Sequence, residues 1–196
     1  MQHLPRELSL VGEYAILEPL QLEQVPELIA AAADGELWNL NFTSVPTPET
    51  TEQYVQEALD NQTVGHQHPF AIRRKSDGRI VGCTRFYEIQ QQHFNLAIGY
   101  TWYAKSAQRT AINTECKLML LTHAFEQLDC ISVMFHTDDQ NPISQAAIAR
   151  LGATKDGVLR NHKIVAGGRY RHTWQFSIID SEWPQIKQHL VDRLSL

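Results

Sequence analysis

Two short polar segments of this sequence have the composition and the placement of an anion-binding site. One reads Gln-Arg-Thr-Ala-Ile-Asn over residues 108–113, and the other contains Asn141 and Ser144. Each stands at the start of a predicted helix, where unpaired N–H groups and about half a positive charge favour a phosphate or pyrophosphate. In the first segment we expect the backbone amides of residues 109–114 to donate to the ligand and Arg109 to add charge. The alternative is an ordinary polar loop before a core helix.

Hydrophobic periodicity predicts the elements that position these segments. Residues 97–104 are rich in β-branched and aromatic side chains, which is typical of a strand, whereas from Ile112 the apolar residues recur at helical spacing. Residues 131–135 are a short apolar run. We interpret them as a buried strand parallel to the first, because a helical crossover joins the two. Ligands of open α/β sheets bind beyond the carboxyl ends of such strands, so both segments should border one site.

The helix that starts at the second segment has boundary signals at both ends. Asn141 suits the N-cap, Pro142 the first helical position and Gly152 the C′ position, and Arg150 stands where a helix C-terminus favours a cation. Taken alone, Asn141 and Ser144 are ordinary residues for a first helical turn. A capping role and a ligand-binding role are compatible, because an asparagine side chain has two polar ends.

Three blocks of sequence occur in a characteristic order: GYTWY at 99–103, QRTAINTE at 108–115 and NPISQAAIARLGA at 141–153. Together they resemble the GNAT superfamily of acetyl-CoA-dependent N-acetyltransferases. The most similar branch is the RimJ/RimL-like one, the ribosomal-protein N-terminal acetyltransferases and their relatives. The resemblance implies an α/β protein with the GNAT fold: a single mixed central β-sheet of about seven strands, helices on both faces, and a V-shaped splay between strands 4 and 5.

The resemblance also implies an N-acetyltransferase, its cofactor and its site. Acetyl-CoA, the acetylated form of coenzyme A, would bind between the splayed strands, and a neutral amine would attack its thioester directly. Asn141 would reach the pantetheine arm, while Ser144 would lie near the sulfur and reprotonate the thiolate. Backbone N–H groups at about residues 102–104 would stabilise the oxyanion. The implied cofactor-binding residues are Trp102, Tyr103, Gln108, Arg109, Thr110, Ala111, Ile112, Asn113, Thr114, Asn141 and Ser144.

Two features depart from the family pattern. Ala111 and Asn113 stand where the family's phosphate loop usually has small residues, and we expect them to weaken cofactor binding without abolishing it. A RimL-like enzyme has its glutamate base where this chain has Lys163, and a lysine cannot serve as that base unless it is strongly desolvated. His162 or His136 could substitute, since an imidazole titrates near pH 6.5. Structural or exposed roles for both histidines stay open.

The fraction of an amine that is neutral at pH 7 indicates which kind of acceptor this site suits. An α-amino group with a pKa near 8 is roughly one-tenth neutral at pH 7, whereas a lysine side chain is neutral in only about 1 molecule in 2,500. A site without a strong base therefore suits an amine of low pKa. We expect the acceptor to be a protein N-terminus or an amino-acid-like α-amine.

Composition excludes several other classes. The 196 residues are 43% hydrophobic, which predicts a single domain over residues 1–196 with a GNAT domain at 13–183 and a C-terminal helix at 182–194. No apolar run approaches a membrane span or a signal sequence, so a cytoplasmic protein without a membrane partner is expected. Three cysteines without a CxxC pair argue against structural zinc, and no third ligand can be named by spacing beside His66 and His68, so no metal is expected. A net charge of −5 without a basic run argues against nucleic acid.

The remaining elements are read from turns and caps. The pattern predicts strands at 14–20, 70–75, 80–89, 94–104, 154–165 and 169–179, and helices at 22–38, 48–61 and 182–194, the last two capped by Thr47 and Ser181. The first two helices and their loop would form a lid over the acceptor, lined by Trp38, Phe42 and Tyr54. The basic hairpin at 160–172 would shape the acceptor cleft or a homodimer contact. A non-catalytic acyl-CoA-binding module and a cofactor-free interaction protein of the same fold remain the rival functions.

Overall fold

The protein forms one sheet of eight strands in the order β1-β2-β3-β4-β5-β6-β8-β7. The computed structural model describes residues 1, 4–39 and 45–195. The strands are β1 Leu10–Val11, β2 Ala15–Pro19, β3 Gln67–Arg74, β4 Ile80–Gln90, β5 Asn95–Tyr103, β6 Ser132–Asp138, β7 Thr154–Ile164 and β8 Tyr170–Ile179. The α-helices are α1 Val25–Ala33, α2 Thr51–Thr63, α3 Ala111–Glu126, α4 Pro142–Ala149 and α5 Trp183–Leu194. The predicted mixed sheet is confirmed, and the two-residue β1 is the strand that the sequence pattern did not indicate.

Helices cover both faces of the sheet. Cys83 and Thr84 are neighbours on β4 and therefore point to opposite faces. Tyr54 of α2 contacts Cys83, whereas Lys117 of α3 reaches Thr101, the hydrogen-bond partner of Thr84. The side of the sheet that carries Cys83 is thus the α2 face, and the side that carries Thr84 is the α3 face.

The central feature is the pairing between β5 and β6, the parallel pair of the sheet. The two strands pair through three residue pairs, Asn95↔Ser132, Leu96↔Val133 and Ala97↔Met134. Beyond these pairs, residues 98–103 of β5 and 135–138 of β6 run on as strand without pairing to each other. This gap, called the open seam from here on, is the predicted V-shaped splay.

A β-bulge accompanies the open seam. The register of β4 against β5 shifts by one residue between the pairs Arg85↔Gly99 and Cys83↔Trp102. Tyr100 lies inside this shift with a φ of +52°, a left-handed conformation that non-glycine residues seldom adopt. The bulge bends β5 at the point where it leaves β6.

Several predicted boundaries were wrong. The helix predicted at 22–38 ends at Ala33, because Gly35 takes a φ of +99° and a short 3₁₀ turn follows at Leu37–Asn39. Helix α2 starts at Thr51 and not at residue 48. Thr50 is its N-cap, and Thr47 lies in the preceding turn, where its amide donates to the Thr50 hydroxyl.

Three further boundaries differ by one to three residues. Glu182, and not Ser181, occupies the N-cap of α5, and its carboxylate accepts the Ile179 amide. Strand β6 extends past residue 135 to Asp138, because pairing with β8 continues that far. Gly152 does have a positive φ of +95°, but Arg150 is the C-cap of α4, so the glycine lies one position beyond C′.

Helix α3 is anchored to the first hairpin by a buried carboxylate. Glu115 is 6% exposed and accepts hydrogen bonds from the backbone amides of Glu13, Tyr14 and Ala15. Gly12 leaves room for this arrangement, since a Cβ there would lie 2.3 Å from the carboxylate carbon. These three bonds join β1 and β2 to the helix that begins at the open seam.

We expect Glu115→Gln to destabilise the protein. The amide of glutamine keeps one acceptor oxygen and turns an NH₂ group toward backbone donors, so the loss should be about 2 kcal/mol. For a domain of this size that corresponds to a fall in melting temperature of roughly 4–8 °C. Thermal unfolding of the variant beside Glu7→Gln, an exposed control, is the measurement. An unchanged melting temperature in Glu115→Gln would contradict the anchoring role.

Candidate functional site

Two helix N-termini border the open seam, as the sequence predicted. Helix α3 begins after β5 with Thr110 as its N-cap, whose hydroxyl oxygen accepts the Ile112 amide at 3.4 Å. Helix α4 begins after β6 with Asn141 as its N-cap, whose Oδ1 accepts the Ser144 amide at 2.9 Å. The capping role of Asn141 uses its oxygen, so the Nδ2 group is the end that can face a ligand.

The conformation of the 108–113 segment shows what its two altered positions, Ala111 and Asn113, require of the backbone. Ala111 and Asn113 lie in the first turn of α3 with helical φ, whereas the left-handed residue is Arg109 at +60°. Neither altered position needs the conformational freedom of glycine, and both still present their N–H groups at the helix start. The residues of this segment therefore fit a pyrophosphate.

The backbone of β5 offers one residue whose amide faces the open seam. The Ala104 amide donates to the Val81 carbonyl at 2.7 Å, and the Trp102 carbonyl points at Gly82 of β4. Because backbone groups alternate in direction along a strand, Tyr103 directs its N–H and C=O away from β4 and toward β6. Of the predicted donors at 102–104, Tyr103 is the one so placed.

The side chains of these predicted residues are turned into the protein. Trp102 is 7% exposed on the α2 face. The hydroxyl of Tyr103 is buried against Cys116 of α3, and this burial raises the pKa of Tyr103 well above its ordinary value. Gln108 donates from Nε2 to the Tyr103 carbonyl at 2.9 Å, so it orders the end of β5. Trp102 and Tyr103 thus shape the seam without offering a polar side chain to it.

His136 lies on β6 in the open seam, on the α2 face. Its Nδ1 is 2.9 Å from the Tyr87 hydroxyl and 3.8 Å from the Glu88 carboxylate. Burial lowers the pKa of His136; the charge of Glu88 opposes this, and nearby positive charges on Lys163 and Arg171 lower it further. The imidazole is therefore neutral at pH 7 and able to accept a proton.

Glu88 was not identified from the sequence. Strict alternation along β4 would send it to the face opposite Tyr87. A second register shift, between the pairs Tyr87↔Ala97 and Gln90↔Asn95, and a φ of +49° at Glu88 redirect its side chain toward His136. A β-bulge of this kind leaves no recognisable pattern in the residue types, so periodicity alone could not have found the contact.

Aromatic rings build the wall of a cleft beside His136. Tyr87 and Tyr100 meet edge to face with their ring centres 5.3 Å apart, and Gly99 makes room because a Cβ there would come within 2.6 Å of the Tyr87 ring. The guanidinium of Arg85 lies 4.5 Å from the Tyr100 ring centre. The cleft has a volume of about 290 Å³ and is lined by His66, Gln67, Tyr87, Glu88, Ile89, Gln90 and Tyr100.

Two of the three residues predicted to line a lid, Trp38 and Tyr54, lie in the described part of the chain. The Tyr54 hydroxyl is 3.2 Å from the Cys83 sulfur, and its ring lies under the Arg85 guanidinium at 4.3 Å, so it supports the cleft from beneath. Trp38 packs against the hydrophobic core. Phe42 falls outside the described residues.

The hairpin of β7 and β8 carries the other predicted histidine. His162 is exposed, with its Nδ1 3.0 Å from the Thr173 hydroxyl, and Lys163 is exposed beside it. The hairpin is tied to the end of β6 by Arg169, which donates to both carboxylate oxygens of Asp138. Asp138 also accepts the amide of Gln140, immediately before the start of α4. Burial raises the pKa of Asp138, but the bonds from Arg169 and Gln140 outweigh it and lower the pKa overall.

A buried cation lies on the opposite face of the seam. Lys117 of α3 is 8% exposed, and its Nζ donates to the Thr101 hydroxyl at 2.9 Å. The same nitrogen lies 5.9 Å from the centre of the Phe135 ring. Burial lowers the pKa of Lys117 to about 8. The sequence analysis missed this residue, because a lysine inside an amphipathic helix is ordinarily placed on the solvated face.

Residues 1, 4–39 and 45–195 contain neither a metal-binding cluster nor a helix that could span a membrane. Within these ranges no group of three His, Cys, Asp or Glu side chains is placed to hold a metal ion. None of the helices there is both long enough and apolar enough to cross a bilayer.

The sequence and the fold are similar to those of known acetyltransferases. The model of the acetyltransferase (GNAT) domain matches residues 15–154. The candidate ribosomal N-acetyltransferase YdaF of Bacillus subtilis (strain 168) is 29% identical over 107 residues, 55% of this chain. The chain spans 57% of the length of that curated relative.

Solved structures cover more of the chain. A candidate acetyltransferase from T. thermophilus is 30% identical with a TM-score of 0.85, over 99% of this chain and 100% of that one. Mycobacterium smegmatis RimJ, solved in complex with CoA-disulfide, shares the fold at 20% identity and a TM-score of 0.77, over 91% and 88% of the two chains. These likenesses agree with the RimJ/RimL-like resemblance of the sequence blocks. Because the family match covers well over half of the chain and the sheet parts where the resemblance expects it to, this protein belongs to the GNAT acetyltransferase family.

Proposed function

We propose that this acetyltransferase moves an acetyl group from acetyl-CoA to an α-amine, either a protein N-terminus or a small amino-acid-like molecule. The observation that carries the proposal is the open seam, which has helix N-termini at its border and a neutral imidazole, His136, on one face. The RimJ relative with the same fold binds a coenzyme A derivative, and the curated relative is named as a ribosomal N-acetyltransferase. Both support the choice of cofactor and of acceptor.

The residues at the seam suit acetyl-CoA in three places. The amides at the start of α3 and the charge of Arg109 would hold the pyrophosphate. Asn141 would offer Nδ2 to the pantetheine arm, and Ser144 stands one turn further into α4. When bound, acetyl-CoA supplies an acetyl group activated as a thioester. The Tyr103 amide would stabilise negative charge on the carbonyl oxygen, and the Ser144 hydroxyl would donate a proton to the sulfur.

His136 is the base in this proposal, and its neighbours set its tautomer. The oxygens of Tyr87 and Glu88 both lie on the Nδ1 side of the ring. In this proposal Nδ1 carries the proton and donates it to the Tyr87 oxygen, an arrangement that the nearby charge of Glu88 favours, so Nε2 is the acceptor for a proton from the amine. His162 was an equal candidate in the sequence, but it is exposed on the hairpin and bonded to Thr173, so we assign it no part in the transfer.

A neutral histidine is a modest base, and this favours an acceptor that is already partly deprotonated. An α-amine meets the condition at pH 7 far better than a lysine side chain does. Glu88 is 43% exposed at the rim of the cleft, where its carboxylate would attract a cationic amine before the amine loses its proton.

Saturating acetyl-CoA should stabilise the protein. A ligand at 100 times its dissociation constant adds about 2.7 kcal/mol, which for this chain length is a rise of roughly 5–10 °C in melting temperature. Melts with and without acetyl-CoA, with AMP plus acetate as the control, measure the effect. A shift followed by no thiol release with any amine would favour the non-catalytic acyl-CoA-binding module, and no shift at millimolar ligand would favour the cofactor-free protein.

His136→Gln should lower kcat by about 10²–10³, the usual contribution of a general base. His162→Gln is the matched comparison and should stay close to the wild type. The acidic limb of the wild-type pH–rate profile should lie below about pH 6.5, since burial lowers the pKa of His136. Glu88→Gln should move that limb to still lower pH, because the Glu88 charge raises the pKa. Equal activity in both histidine variants would remove His136 from the mechanism.

Acceptor preference is measured with two peptides that differ at one position. The first has a free N-terminus and no lysine, and the second is N-acetylated and carries a single lysine. From the neutral fractions at pH 7 we expect kcat/KM to favour the α-amine by about 250-fold. Thiol release over a range of peptide concentrations gives the ratio. Preference for the lysine peptide, or for polyamines, would refute the α-amine assignment.

A further inference from the structure

Lys117 has a buried positive charge for which the fold supplies no counter-ion. In the part of the chain that the structure describes, no carboxylate forms an ion pair with it, and the adjacent Glu115 is committed to the backbone of the first hairpin. Moving an ammonium group out of water is costly unless something inside compensates for it. One hydrogen bond to Thr101 satisfies one of its three N–H groups.

The position of Lys117 relates this charge to the seam. Its two contacts, Thr101 and Phe135, stand on β5 and β6 beyond the last pair that joins these strands, Ala97↔Met134. Nζ therefore lies on the α3 face between a side chain of β5 and a side chain of β6, where these strands no longer pair. His136 lies across the gap on the α2 face.

The groups packed around Lys117 do not neutralise it. On its own helix, burial raises the pKa of the Cys116 thiol to about 12, and on β5 burial raises the pKa of Tyr103, so both are uncharged at pH 7. Thr84 on β4 and Phe135 and Thr137 on β6 carry no charge. The field of the ammonium thus acts on whatever occupies the seam.

We propose that Lys117 stabilises the thiolate of coenzyme A at the seam. The inference rests on the proposed function, because it needs the cofactor to lie between β5 and β6. In acetyl transfer the C–N bond forms, the amine proton passes to His136, the C–S bond breaks and the electron pair stays on sulfur. The resulting thiolate then takes a proton from Ser144, which regains one from solvent. A fixed ammonium beneath the seam favours that charge at the moment it develops, and Thr101 holds the ammonium in place.

The test titrates the thiol of bound coenzyme A through the ultraviolet absorbance of its thiolate. In the wild-type complex the thiol pKa should lie below that of free coenzyme A in the same buffer. In Lys117→Met it should rise by about one unit, a tenfold loss of thiolate at a given pH. Affinity for desulfo-coenzyme A should be equal in the two proteins. Lys187→Met, which removes a surface ammonium on α5, is the matched control and should titrate as the wild type does.

The outcomes separate this inference from the proposed function. If the wild type binds coenzyme A but Lys117→Met leaves the thiol pKa unchanged, Lys117 has no such role, although the acetyltransferase proposal stands. If the wild type binds no coenzyme A, both fail. Lys117→Gln keeps a donor for Thr101 without the charge and replaces the methionine variant should that one not fold. An unshifted thiol pKa in Lys117→Gln likewise overturns the inference.

Discussion

The architecture of this protein depends on the early end of the pairing between β5 and β6. After Ala97 and Met134 the backbone N–H and C=O groups on the facing edges of β5 and β6 no longer pair with each other, in the middle of a sheet where such groups are ordinarily paired. The rest of the fold keeps the gap open: a bulge at Tyr100 turns β5 away from β6, and β8 holds the far side of β6 as far as Asp138. A pantetheine arm, with its own amide groups, is the kind of ligand that such edges suit.

Helix α3 carries several of the charged and polar groups near the seam, and its anchoring holds them in place. Its start supplies the amides beside Arg109, its second turn carries Glu115, and Lys117 follows on the side of the seam. Because Glu115 binds three amides of the β1–β2 hairpin, the helix cannot slide along the sheet without breaking those bonds. The position of the start of α3 and of the buried ammonium is thus controlled by a contact with the hairpin at one edge of the sheet.

The two faces of the open seam differ in chemistry. On the α2 face, Tyr87 and Glu88 surround a neutral imidazole and border a cleft, which suits the arrival and deprotonation of an amine. On the α3 face, Lys117 supplies a positive charge in dry surroundings, which suits a leaving anion. The proton acceptor and the cation therefore lie on opposite faces of the sheet. The positive charge that develops on an attacking amine would face the first, and the negative charge that develops on a leaving group would face the second.

The sequence by itself determined the order of the elements, the parallel crossover and the N-cap at Asn141, because these follow from local periodicity and from capping chemistry within a few residues. It also identified His136 and the 108–113 segment as candidates, although it could not rank His136 above His162. Only the tertiary structure distinguished their surroundings, with His136 in the seam and His162 exposed on the hairpin, and only it gave the place of Glu88 and the burial of Lys117. Glu88 depends on a bulge, whose backbone geometry comes from strand pairing across the sheet. The burial of Lys117 depends on how closely α3 packs against the separated ends of β5 and β6. Residue periodicity within one helix does not encode that packing.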